Sequence, residues 1–209
     1  MIKFDDKIEA VIDHYHKRME EESSLASSLK EEEIMQRRDE FLLPVGNETA
    51  IFLNMLIKSA KSKCILEIGT SYGYSTIFLA EAAKANNGKL ISLEISREKA
   101  DYAKNKINEA GISNYVEFRV GDAMKLIEEA NETFDFVLVD LWKELYLHCF
   151  NLFYSKLNKG AWVAADNIIY PPVHQADIDA YLKRIKETKA FDTILLPIGS
   201  GIEISQLKN

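Results

Sequence analysis

Residues 191–207 read FDTILLPIGSGIEISQL, two strand-like runs parted only by Gly199, Ser200 and Gly201. Joining parallel neighbours takes a dozen or more residues, so this short link can only fold the chain back on itself, and an antiparallel hairpin at one edge of a sheet is expected. Upstream the pattern is the opposite. From Cys64 onward the apolar runs CILEIG, KLISLEI, YVEFRV, FDFVLVD and AWVAADN alternate with helical patterns over 75–85, 97–110, 123–130 and 146–157. That alternation marks a parallel sheet with helices on both faces. Gly111 is read as a helix stop and Gly160 as the turn before the fifth strand. The expected fold is α/β, a seven-stranded and mostly parallel sheet with an antiparallel last strand.

Ahead of the sheet, Ile8, Val11, Ile12, Tyr15 and Met19 form the stripe of an amphipathic helix over 4–19. His14 and His16 fall on its other side and read as surface residues. Residues 20–40 are polar and charged and read as broken helix or loop, with Arg37 and Arg38 on a solvated mixed-charge face. Asn47 is placed as the N-cap of a helix carrying Ile51, Phe52, Met55 and Leu56. The extra N-terminal helices form a cap over 1–60, the sheet core spans 61–209, and 209 residues suit one domain.

Composition bounds the function. A net charge of −7 argues against a nucleic-acid footprint, which needs concentrated positive surface. No apolar run approaches the roughly 20 residues of a membrane span, and MIKFDDKIEA lacks a signal-peptide core, so a cytoplasmic protein is expected. Cys64 and Cys149 read as small buried hydrophobes.

The chemistry gathers at strand ends. The stretch LEIGTSYGYS leaves the first strand through Gly69, Ser71 and Gly73 and enters a helix, bringing backbone N–H groups close to a ligand. It lacks the middle glycine of G-x-G-x-x-G, so a pyrophosphate fits poorly and a smaller carboxylate fits better, with Ser75 as a donor. Glu94 ends the second strand, near the offset of about 20 at which an acid holds ribose hydroxyls. Asp122 and Ala123, in GDA after the third strand, face the adenine edge. Asp140 ends the fourth strand, and Asp166 with Asn167 ends the fifth, so three oxygen ligands converge where open α/β sheets bind substrates. Oxygen-only ligands that leave positions open suit Mg²⁺. Lys143, three residues past Asp140, is a candidate base, and Trp142 a candidate cover for adenine.

These residues resemble the cation-dependent class I O-methyltransferase family that includes catechol O-methyltransferase and the plant caffeoyl-CoA enzymes, over about residues 38–205. The antiparallel last strand is a mark of that Rossmann-like fold. The catechol enzyme's pattern of Asp, any residue, Trp, Lys, two residues, Tyr-Leu is met by Asp140, Trp142, Lys143, Tyr146 and Leu147. Its Asp-Asn pair followed by a gatekeeper proline is met by Asp166, Asn167 and Pro171. The resemblance implies further roles: Phe41 as an aromatic gate, Val45 as a backbone contact to cofactor, Glu67 and Ser75 in the cofactor site, and Glu203 against a second substrate hydroxyl. The chain departs from the catechol enzyme at Leu141, Asp122 and Phe41, where that enzyme has a histidine, a small residue and a tryptophan.

The implied activity is methyl transfer from S-adenosyl-L-methionine to a hydroxyl of a small, catechol-like aromatic. Lys143 would take the proton, and Asp140, Asp166 and Asn167 would hold Mg²⁺, or Mn²⁺ or Ca²⁺. Alternatives are methylation of a hydroxylated tRNA base and a non-catalytic S-adenosylmethionine-binding module. A homodimer is expected by analogy with the family, using the N-terminal helix and a Phe-rich surface.

Overall fold

The computed structural model describes residues 3–209. Its seven strands are β1 (Cys64–Ile68), β2 (Lys89–Glu94), β3 (Val116–Val120), β4 (Phe134–Val139), β5 (Leu157–Ala165), β6 (Phe191–Leu196) and β7 (Ile202–Leu207), in the order β3-β2-β1-β4-β5-β7-β6. The first five are parallel. Strand β7 inserts between β5 and β6, antiparallel to both, with Ala165 opposite Glu203 and Leu196 opposite Ile202. The hairpin expected from Gly199–Gly201 is therefore present, and its first strand becomes the sheet edge. The order in which successive strands are laid down reverses between the parallel neighbours β1 and β4, which opens a crevice at their carboxyl ends.

Alternating strand residues feed two cores. Ile65, Leu90, Phe136 and Leu138 face α1 (Asp6–Ala26), α3 (Asn47–Ala60) and α4 (Tyr74–Ala85), while Leu66, Ile91, Val137 and Val139 face α6 (Ala123–Glu129), α7 (Tyr146–Phe153) and α8 (Gln175–Thr188). Helix α5 (Arg97–Glu109) adds Ile107 to the first core. The apolar stripe of α1 packs into this same core. The apolar face of α1 is thus spent on this core, and none of the ten phenylalanines is exposed, Phe52 and Phe118 being half-buried. No helix among the described residues is long and apolar enough to cross a membrane. Both cysteines are free, and Cys149 is buried.

Several local expectations are corrected. Helix α1 runs on to Ala26, because Arg18 and Glu22 pair across one turn and carry it into the charged stretch. Residues 31–36 form the short helix α2 (Glu31–Gln36). Gly46, not Asn47, is the cap of α3, without a side-chain bond, and Asn47 is its first residue. Gly160 lies inside β5, not before it. Its φ of +74° sits where the register jumps from Phe134–Leu157 to Phe136–Trp162, a bulge that lengthens the strand. Helix α8 was not anticipated; Ile178, Tyr181 and Ile185 make only a narrow apolar stripe among charges.

Candidate active site

The crevice is a cavity of roughly 410 Å³, a size suited to a small-molecule ligand. Gly69 sets its floor: a Cβ there would lie 1.9 Å from the Asp140 carbonyl oxygen, so only glycine lets the ends of β1 and β4 pass. Next in the turn, Ser71 takes a left-handed backbone and donates its N–H to Glu94 Oε2 at 2.7 Å. Glu94 Oε1 accepts the Ser96 N–H at 2.9 Å. Asp122 caps α6 by accepting the Lys125 N–H at 3.1 Å. Together with Ala123, these groups line one end of the cavity, and Asp140, Trp142 and Asn167 line the other. Three wall residues, Leu43, Ser71 and Asn167, are non-glycines at φ of 45–55°. Such backbone is costly and tends to collect at functional sites.

At the second end, Asp140 follows β4 directly and lies on the cavity wall, while Asp166, directly after β5, and Lys143 are buried behind it. Burial, then the Asp166 charge, then Glu67 hold the Asp140 carboxyl well above the usual range. Burial lifts Asp166 to about 7, opposed by the Asn167 N–H and by Lys143. Asp166 Oδ1 is buried with no hydrogen-bond partner among the described residues. Two carboxylates whose protonated forms are favoured, one of them buried with an orphaned oxygen, beside an amide, make a donor set that fits a hard cation. Among the described residues no three His, Cys, Asp or Glu side chains gather as ligands, and the trio here counts an amide as its third member. Lys143 is buried, and its Nζ donates to the Pro171 carbonyl at 2.6 Å. Burial and the Arg38 charge lower its pKa, against Asp166.

Other expected site residues sit behind the wall. Glu67 is fully buried and accepts from Ser75 at 2.6 Å, Thr76 at 2.7 Å and Ser92 at 2.5 Å; burial raises it to about 7. The Ser75 hydroxyl is thus committed to Glu67, beneath the cavity. Phe41 and Val45 are also buried and off the cavity wall. Glu203 is buried on β7 between Tyr181, at 3.4 Å, and Ser205, with its carboxyl raised to about 7 by burial.

The sequence reading missed several wall residues. The Arg38 guanidinium lies 4.6 Å from the Trp142 ring centroid and roofs the cavity. Leu43 joins that roof, and Ile95 lines the wall while 73% exposed. An isoleucine directly after the strand-end Glu94 was the available signal. The loop leaving Asn167 also exposes Ile169, Tyr170 and Val173.

A family model described as O-methyltransferase matches residues 17–207. A catechol O-methyltransferase of Niastella koreensis is 37% identical over 122 residues, which is 56% of this chain and 55% of that protein, so the match spans just over half of that relative. Caffeoyl-CoA O-methyltransferase 2 of Eucalyptus globulus is 28% identical over 85% of this chain and 80% of its own length. Among solved structures, an O-methyltransferase from Bacillus cereus in complex with SAH superposes with a TM-score of 0.77 at 25% identity, covering 100% of this chain and 93% of that one.

Proposed function

The chain belongs to the O-methyltransferase family, and from that premise and the shape of the cavity we propose that it transfers the methyl group of S-adenosylmethionine to a hydroxyl of a small, catechol-like aromatic, with the help of a divalent cation. The carrying observation is the buried, unpartnered Oδ1 of Asp166 beside Asp140. Asp140, Asp166 and Asn167 would hold Mg²⁺, Mn²⁺ or Ca²⁺, whose contribution is to ease ionisation of an acceptor hydroxyl. S-adenosylmethionine supplies an electrophilic methyl on sulfur.

The remaining work falls to the chain. Lys143 Nζ takes the hydroxyl proton: burial and Arg38 make its neutral form accessible, and the Pro171 carbonyl holds one N–H while the lone pair stays free. Each Glu94 oxygen holds one backbone N–H and keeps a lone-pair site for a ribose hydroxyl. Asp122 is oriented by its cap bond and can accept from an adenine amino group. Trp142, stacked by Arg38, offers its ring as a cover for the adenine. The apolar loop at Ile169, Tyr170 and Val173 supports an aromatic acceptor. Holding both reactants supplies much of the acceleration, with positioning worth on the order of 7–11 kcal/mol.

The test is methyl transfer to a panel of catechol-type acceptors with Mg²⁺ and again with EDTA. Turnover that EDTA removes is expected. Turnover indifferent to EDTA overturns the cation, and binding of S-adenosylhomocysteine (SAH) without turnover redirects the search to a hydroxylated tRNA base or to a non-catalytic binding protein.

A further inference from the structure

Residues 38–43 contribute Arg38, Asp39 and Leu43 to the cavity wall, yet from Phe41 to Val45 the chain belongs to no helix or strand. Its backbone must be held by side chains. From the glycine-bearing turn, Tyr72 Oη donates to the Asp39 carbonyl at 3.2 Å, and Ser71 Oγ reaches the Leu42 carbonyl at 3.4 Å. From the outer side, α1 supplies Glu22, one of whose oxygens accepts the Leu42 N–H at 2.8 Å while the other accepts Arg18 Nε–H at 2.6 Å. Arg18 Nη2 also donates to the Glu40 carbonyl at 3.0 Å. The same guanidinium lies on the Tyr72 ring, 4.0 Å from its centroid. Arg18 and Glu22 are each only 19% exposed, so this pair escapes most of the screening that makes an ordinary surface pair worth little.

We infer that Arg18 and Glu22 are positioning residues for the cofactor: they form a strut that locks 38–43, and with it the cavity roof, onto the glycine-bearing turn. The inference rests on reading the cavity as the S-adenosylmethionine site. The docking of the first turns of α1 does not depend on the strut, because Ile8, Val11, Ile12 and Tyr15 bury their apolar face and Tyr15 Oη donates to the Tyr72 carbonyl at 2.6 Å. Removing Glu22 should therefore loosen the roof and the last turns of α1 while residues 8–15 stay docked. An affinity measured on a roof that is closed only part of the time falls in proportion to that fraction.

The experiment uses the full chain as wild type, Glu22→Ala and Glu22→Gln, with SAH titrated by calorimetry and amide exchange followed without ligand. Glu22→Ala should speed exchange at Leu42 and weaken SAH roughly tenfold, the size expected for a lost charge-assisted hydrogen bond. Amides of residues 8–15 should keep their protection, and Glu22→Gln, still able to accept the Leu42 N–H, should recover most of the affinity. Equal SAH binding by wild type and Glu22→Ala overturns the strut. So does weakened binding that comes with lost protection across 8–15, which would mean simple undocking of α1. A wild-type chain that fails to bind SAH overturns the methyltransferase reading and takes this inference with it, an outcome distinct from equal binding.

Discussion

Lys143 is the residue on which the proposed chemistry turns. Replacing it with Met keeps its length and removes its proton acceptor, so kcat should fall on the order of 10²–10⁴-fold, while SAH affinity measured by calorimetry stays within about threefold. An unchanged kcat would assign the proton to another base. Glu67 gives a prediction in pH. Its carboxyl is raised from an ordinary 4.5 to about 7, so the folded chain holds the extra proton between those values. The stability it contributes is complete below pH 4.5 and lost as pH rises through about 7. In metal-free protein, Glu67→Gln should flatten the decline of Tm across that window, read by scanning calorimetry. At this scale the strand-end residues Glu94, Asp140 and Asn167 could be read from the sequence, because the end of an apolar run fixes where the next side chain emerges. Phe41 and Leu43 could not. Which of two neighbouring apolar residues turns inward depends on a left-handed backbone at Leu43 that nothing nearby in the chain announces.

Among the elements, the turn between β1 and α4 leaves the least freedom. A Cβ on Gly73 would lie 2.7 Å from the Ala103 Cβ of α5, at a φ of +90° that side chains resist. Gly73→Ala should cost about 1–3 kcal/mol, seen as a lower denaturant midpoint at unchanged slope, and should weaken SAH binding by moving α4 off α5. The alternation of strands and helices from Cys64 to Ala165 could be read because β1, β2 and β4 are buried along nearly all of their length and so appear as mostly apolar runs. Helix α8 could not be read so easily, since three buried residues in fourteen give a weak period. Nor could the length of α1, whose last turns are held by an ion pair rather than by apolar spacing.

For the molecule as a whole, the buried carboxylates set stability against function. Burial raises both carboxyls and the Asp166 charge raises Asp140 further, so without a cation their charges oppose folding at neutral pH. Wild-type Tm should therefore rise with added Mg²⁺ at pH 8 by mass action. Asp166→Asn should raise the metal-free Tm, erase the Mg²⁺ response and abolish turnover; a variant that still responds to Mg²⁺ would remove Asp166 from the ligand set. The order of the sheet also bears on how the chain is made. Strand β6 precedes β7 in the chain but lies outside it, so β6 leaves the ribosome before the neighbour it must pair with exists. Until β7 emerges, Ile194 and Leu195 wait without a sheet. Ser200 and Gly201, whose carbonyls accept the N–H groups of Ile168, Ile169 and Tyr170, also arrive late. The side of the cavity beside Asn167, where the proposal puts the acceptor, thus takes shape only once β7 is made, and a ribosome that stalls shortly before β7 would leave a chain with the glycine-bearing turn but without that side finished.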